Sequence, residues 1–169
     1  MRRLLAAAVL AVAVLAAWAS PAAAEKFGAE GYACPGTRRG AVIDRDEQRA
    51  WLCEGKRIVR WMPVTTAISQ PDPGVYPIYA KDAQTRSNFG TQVSTLDRFV
   101  AFSYGKRTGA RIAFHAIPRF DDGSLAQTPE SLGTAEHFGD SSGCIRLLPE
   151  DAQFVWDYLA IGDQVRVLT

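Results

Sequence analysis

Three cysteines and two histidines carry most of the nucleophilic and acid–base chemistry that this chain offers. Cys144 stands in the run Asp140-Ser141-Ser142-Gly143-Cys144-Ile145-Arg146. A thiol set among Ser and Gly is a candidate nucleophile, because small residues leave backbone N–H groups open around it. The amides of Ser142, Gly143 and Cys144 are the candidates to hold the oxyanion formed when a thiolate attacks a carbonyl. Gly143 would permit the close approach. An ordinary cysteine has a pKa of about 8.5, so at neutral pH something must lower it or take its proton. His115 lies in Ile112-Ala113-Phe114-His115-Ala116, which reads as a strand. Alternation puts Ile112 and Phe114 on one face and Ala113 and His115 on the other. A strand histidine flanked by small residues can hold its ring and approach a partner. His137 stands in a polar loop beside Phe138-Gly139-Asp140 and is expected to be an exposed loop residue. Ser141-Ser142-Gly143 is by itself a common turn. For Arg146 three readings stay open: a surface charge, a brace for the loop, or a planar fork for a substrate carboxylate.

The start of the chain sets the context for that thiol. Met1-Arg2-Arg3 precedes an apolar Leu/Ala/Val run, which ends near Ala22-Ala23-Ala24. A basic end, an apolar centre and small residues at the exit make residues 1–24 a secretory signal peptide. The run is short for a membrane span of about 20 residues. The protein is therefore expected to be exported, to the periplasm or the cell wall and extracellular space, and to leave the membrane after cleavage. Cys34, Cys53 and Cys144 make an odd count, so at least one thiol is unpaired within an exported monomer. Three pairings are possible. Cys34 with Cys53 is the local one; it closes a loop of roughly 20 residues, worth about 3 kcal/mol in the chain-entropy picture, and spares Cys144. In the contrary reading Cys144 belongs to a structural disulfide and does no chemistry.

The remaining elements must position Cys144 and His115. Residues 25–40 are rich in Gly and Pro toward their end and read as a lead-in segment; residues 41–169 are expected to form one domain. Ala41–Asp44, Arg49–Cys53 and Arg57–Val64 read as a strand meander. Val75–Ala80 reads as a strand, with Pro77 marking an edge or a bulge. Ala83–Asp97 reads as a polar loop. Phe99–Tyr104 and Arg111–Ile117 are two more strands, and Pro118–Gly139 is a long polar connection of the kind that is functional or mobile. Pro149–Leu159 reads as a helix, with Pro and acids in its first turn and Phe154, Val155, Tyr158 and Leu159 on one face. Gln164–Leu168 is a last strand. The fold class is mainly β with one principal helix. A net charge of +1 gives no case for nucleic acid or an anionic membrane surface. No metal-ligand spacing, phosphate loop or dinucleotide fingerprint is present, so no cofactor is expected.

From about Ala41 to Leu168 the chain resembles the L,D-transpeptidase catalytic domain (YkuD-like) family. That family's motif is a histidine, a variable insert, then Ser-His-Gly-Cys, an apolar residue and Arg or Asn. Here it is His115, the insert, and Ser141-Ser142-Gly143-Cys144-Ile145-Arg146. The hairpin Val42 to Leu52, the turn Pro73-Gly74-Val75-Tyr76, Asp151-Ala152 and Gly162-Asp163-Gln164-Val165 resemble its other elements. The resemblance implies a YkuD-like β-sandwich or mixed β-sheet with Cys144 as nucleophile and His115 as general base and acid. It also implies that the Ala116 carbonyl orients the imidazole. The partners it implies are peptidoglycan stem peptides, with carbapenem-type β-lactams as covalent inhibitors. Cys144 would attack the carbonyl before the terminal D-alanine of a tetrapeptide stem, and an amine of a neighbouring stem would close a 3-3 cross-link. An L,D-carboxypeptidase, in which water resolves the thioester, would use the same residues; a non-catalytic wall-binding module would not need the His115/Cys144 pair. The chain departs from the motif in two ways: Ser142 replaces the second histidine, and the insert is longer than usual, which suggests an extended lid.

Overall fold

Alternation in the first strand sends its side chains to two different hydrophobic clusters. Ala41 and Ile43 enter the main core, whereas Val42 faces the other way with Cys34, Trp51 and Cys53. The computed structural model describes Cys34, Gly36, residues 38–88 and residues 92–169. The expected signal peptide, and most of the lead-in segment, lie outside the described residues.

Among the described residues, ten strands and one α-helix follow in chain order. They are β1 (Arg39–Asp44), β2 (Arg49–Glu54), β3 (Arg57–Pro63), β4 (Gly74–Pro77) and β5 (Ala80–Ser87). Next come β6 (Ser94–Tyr104), β7 (Arg111–Ala116), β8 (Arg119–Phe120), β9 (Ile145–Leu147), α1 (Pro149–Tyr158) and β10 (Gln164–Val167). One sheet runs β3-β2-β1-β10-β4 and the other β5-β6-β7-β9, with β8 added along β6. Both sheets contribute to the main core: Ile43, Leu52, Met62 and Val167 from the first, and Phe102, Ile112, Phe114, Ile145 and Leu147 from the second. Ala152 and Val155 of α1 and Leu159 just after it join them, with Phe154 and Tyr158 partly buried at the margin. Each large apolar side chain so buried contributes on the order of 1.5–3 kcal/mol.

The helix is held at both ends. Asp151, in its first turn, is buried and accepts from Arg60 Nε at 2.6 Å. Lys81 Nζ donates to the carbonyls of Trp156 and Leu159 at 2.5 and 2.7 Å, a cation at the negative end of the helix dipole.

Two expectations about the path of the chain are corrected. Val75–Ala80 is not one strand: β4 stops at Pro77, which has no N–H to continue its ladder, and the Ile78 amide turns to the Asp163 carbonyl at 2.8 Å. The chain then enters the other sheet at Ala80. Pro77 does mark an edge, because β4 is the last strand of its sheet. Most of Ala83–Asp97 is not a loop but the end of β5 and the start of β6, paired from Ala80↔Ala101 to Ser87↔Ser94. As an edge strand with no fully buried residue, β5 has no need of an apolar alternation. The long connection after β7 carries short elements of its own. It contains β8, 3-10 turns at Pro129–Ser131 and Ala135–His137, and the Gly133 amide bonds the Val64 carbonyl at 3.0 Å.

Cys34 and Cys53 form a disulfide, and Cys144 is a free thiol. The bond ties the segment before β1 to the end of β2. The double variant Cys34→Ala/Cys53→Ala is expected to lose about 3 kcal/mol of stability, from the 20-residue loop it reopens. Urea unfolding at pH 7 measures this, and a midpoint equal to that of the oxidised parent would refute it.

Candidate active site

The thiol and the imidazole are brought together by strand register. β7 and β9 pair in parallel, with Phe114 beside Ile145, His115 beside Arg146 and Ala116 beside Leu147. One step back along the same register, Cys144 falls beside Ala113. Cys144 packs on the cluster of Ala113, Phe99, Leu96 and Ala101, while Phe114 and Ile145 point to the main core. Period-two alternation therefore places Cys144 and His115 on one face, as diagonal neighbours on adjacent strands. Both line a cavity of about 280 Å³.

The imidazole is buried and its tautomer is fixed. Nδ1 lies 2.6 Å from the Ala116 carbonyl oxygen, which can only accept, so Nδ1 carries the proton and Nε2 presents a lone pair. Burial lowers the His115 pKa to about 4; the Ala116 bond opposes that shift and Arg146 adds to it. The ring lies nearly parallel to Phe99, at a 10° interplanar angle and 6.1 Å between centroids.

Cys144 is half-buried, and its Sγ donates weakly to the Arg111 carbonyl at 3.6 Å. Burial pushes the thiol up to about 11, against the lowering effect of a backbone bond from Ala113 and the charges of Arg146 and Arg111. Between these two values both groups are neutral. Both shifts favour the neutral forms, a thiol and an imidazole, over a thiolate–imidazolium pair.

The loop before the thiol differs in one respect from the oxyanion expectation. Ser141 Oγ donates to the Cys144 carbonyl at 2.6 Å and accepts the Gly143 amide at 3.1 Å. This is a side-chain turn in which a hydroxyl captures the amide two residues on, so the Gly143 N–H is already spent. The Ser142 and Cys144 amides bond no acceptor among the described residues and remain the candidate donors. Gly143 is needed for shape. Its φ is +146°, and a Cβ there would stand 2.9 Å from Ile112 Cδ1.

Arg146 resolves as a brace. Its Nη1 donates to Gln127 Oε1 at 3.0 Å and its Nη2 to the Asp140 carbonyl at 3.1 Å. Its backbone pairs with Thr65. Gln127 in turn donates to Thr65 Oγ1 at 2.9 Å and to Ser131 Oγ at 3.1 Å. These bonds fasten the insert to β9. His137 is half-buried in that insert, with Nδ1 3.0 Å from Asp140 Oδ2, and does not line the cavity.

Two glutamines escaped the sequence reading. Besides Gln127, Gln70 donates to the Ser142 carbonyl and accepts the Lys106 amide at 2.9 Å, joining the thiol loop to the turn between β6 and β7. An amide side chain in a Pro-rich turn carries no spacing signal for such a role. No group of three or more His, Cys, Asp or Glu side chains able to hold a metal occurs among the described residues.

Two β-sheets around one core, with a thiol and a strand-borne imidazole on a parallel ladder, define a class of domain. The chain belongs to the L,D-transpeptidase catalytic domain (YkuD) family, whose profile matches residues 38–167. Solved structures share the fold. An L,D-transpeptidase from Mycobacterium smegmatis is 19% identical, with a TM-score of 0.57, over 78% of this chain and 59% of that one. The L,D-transpeptidase LdtMt1 in complex with imipenem is 17% identical, with a TM-score of 0.59, over 77% and 58%. L,D-transpeptidase 3 from Mycobacterium tuberculosis, in complex with a faropenem-derived adduct, is 18% identical, with a TM-score of 0.57, over 78% and 60%. The match spans less than two thirds of the length of each of these structures. No curated protein matches the chain.

Proposed function

We propose that the protein is a peptidoglycan L,D-transpeptidase that works by cysteine acyl transfer. The observation that carries this reading is the parallel register, which sets Cys144 and His115 on one face with Nε2 free to accept a proton. In the proposed first step Sγ bonds the carbonyl carbon that precedes the terminal D-alanine of a donor tetrapeptide. The thiol proton passes to Nε2 of His115 as the bond forms, so no free thiolate accumulates. The oxyanion is received by the Ser142 and Cys144 amides. The C–N bond then breaks, Nε2 returns its proton to the leaving D-alanine amine, and a thioester remains. An amine of a neighbouring stem attacks the thioester, gives its proton to Nε2, and closes a 3-3 cross-link as the sulfur recovers a proton. The chain's own groups account for every proton, and the scheme uses no metal or organic cofactor. The basic, apolar and small-residue N-terminal sequence supports export to the compartment where such stems are found.

Incubation with imipenem, followed by intact mass measurement, tests the thiol chemistry. The expected result is one covalent adduct, mapped to Cys144 and absent from Cys144→Ala. A reduced, folded protein that gains no mass would sink the reading. Muropeptide digestion then reads the second step: cross-linked dimers support transpeptidation, and tripeptide monomers alone would reassign the protein as an L,D-carboxypeptidase.

A further inference from the structure

The cavity around Cys144 is cationic. Three guanidinium groups, from Arg86, Arg111 and Arg146, stand among its lining residues, and no Asp or Glu does. These are the charged groups of the lining, and two of them, Arg86 and Arg111, are each paired with an aspartate that is not among the lining residues.

The three are not equivalent. Arg146 is used as the brace described above. Arg86 lies near the far end of β5, beside Thr95, and its Nη2 is shared by both oxygens of exposed Asp121. Arg111 is placed differently. Its backbone pairs with Tyr104 at the end of β6, yet its guanidinium reaches back over the Phe99 ring, 4.7 Å from the centroid. Asp82, the residue beside Phe99 on β5, holds Arg111 Nη1 at 2.6 Å. Phe99 is the ring that lies parallel to His115. The guanidinium is thus one ring away from the imidazole, on the same face as the thiol. Its Nε and Nη2 groups have no hydrogen-bond partner among the described residues.

A guanidinium oriented by one carboxylate, laid on an aromatic face and keeping free donors, is preorganised to take a second carboxylate. We propose that Arg111 selects the acyl donor by binding one of its carboxylates, so that the site takes anionic donors in preference to their amides. The inference rests on the acyl-transfer reading above and adds the charge of the donor to it. A tetrapeptide donor offers two sources of the same chemistry: its C-terminal carboxylate and a carboxylate on the side chain of its third residue.

Two small electrophiles test anion binding without any peptide. Iodoacetate and iodoacetamide alkylate the same sulfur and differ in charge. A change in fold or in thiol reactivity moves both rates and cancels in their ratio. The iodoacetate-to-iodoacetamide ratio is expected to fall about tenfold in Arg111→Gln, as for loss of a charge-assisted bond, and to be partly kept in Arg111→Lys. In the unmodified protein the ratio is expected to fall as salt rises. Tetrapeptides amidated at one carboxylate or the other then identify the source, through an increase of about tenfold in KM for one of them. An unchanged ratio in Arg111→Gln overturns the proposal, as does equal use of the doubly amidated and the free donor. If the ratio falls but no tetrapeptide is turned over, the anion site stands and the transpeptidase reading fails.

Discussion

His115→Ala is expected to slow the acylation of Cys144 by imipenem about a thousandfold at pH 7, within the range for loss of a general base. The cause lies in the resting charges. Burial pushes the thiol up to about 11, so the thiolate is a small minority at pH 7. The reaction therefore depends on a base that removes the proton during attack, and His115 Nε2 is the lone pair on that face. The pH profile separates this from mere structural damage. In the unmodified protein the imidazole stays neutral down to about 4 and the thiol stays protonated up to about 11. Its acylation rate is then expected to be nearly flat from pH 5 to about 9, with an acid limb near 4 where Nε2 becomes protonated. In His115→Ala the rate should follow free thiolate alone, rising about tenfold per pH unit through the same range. Stopped-flow or quenched mass measurements give both curves. A limb near 6.5 in the unmodified protein would mean that burial does not lower the imidazole as far as this. A His115→Ala variant that keeps the flat profile would mean that the imidazole is not the base.

Gly143→Ala is the second large effect. A methyl group at φ +146° enters a backbone region that residues with a side chain rarely occupy, at a cost on the order of 1–3 kcal/mol. It also meets Ile112 Cδ1 at 2.9 Å, Ile112 Cγ1 at 3.0 Å and Gln70 Nε2 at 3.2 Å. Ile112 is buried in the main core and cannot retreat freely. The loop must yield instead, carrying the Ser142 and Cys144 amides away from the thiol's target. A displacement of about 1 Å is enough for a hundredfold loss of acylation. Ile112→Val in the same chain removes Cδ1 and is expected to recover part of that rate. Imipenem acylation at the parent rate in Gly143→Ala would show that the loop geometry does not govern the chemistry. A circular-dichroism melt of each variant checks that the fold is intact.

Much of this arrangement was legible in the residues, and what was not has a common cause. Apolar strands announce themselves: β1, β2 and β7 are buried on both faces, and the helix shows its stripe. Cys144 and His115 were readable because their chemistry is rare in the chain and the surrounding small residues are unusual. The hidden elements are those that bury little or are very short. β5 is a polar edge whose ladder bonds need only backbone. β9 has three residues, and its pairing with β7 exists only in three dimensions. The same holds within the site. The Gly143 amide is captured by Ser141, a local competition that spacing does not reveal. The two structural amides, Gln70 and Gln127, act through partners 36 to 72 positions away for the first and up to 62 for the second. The replacement of the family's second histidine by Ser142 places an exposed residue beside the thiol loop, and the loop is steadied through its carbonyl by Gln70.

The parallel pairing of β7 with β9 has a consequence for how such a domain can change. Parallel neighbours cannot be joined by a tight turn, so the segment between them must be a crossover. Here that crossover is the long insert, pinned by Arg146 and Gln127 near its return. The spacing between imidazole and thiol is fixed by the ladder and not by the length of chain that links them. Residues can therefore be gained or lost around the exposed Asp121–Ser124 turn without altering the distance between imidazole and thiol. The crossover is where a lineage can remodel what docks above the site, and the two short strands are the fixed gauge beneath it.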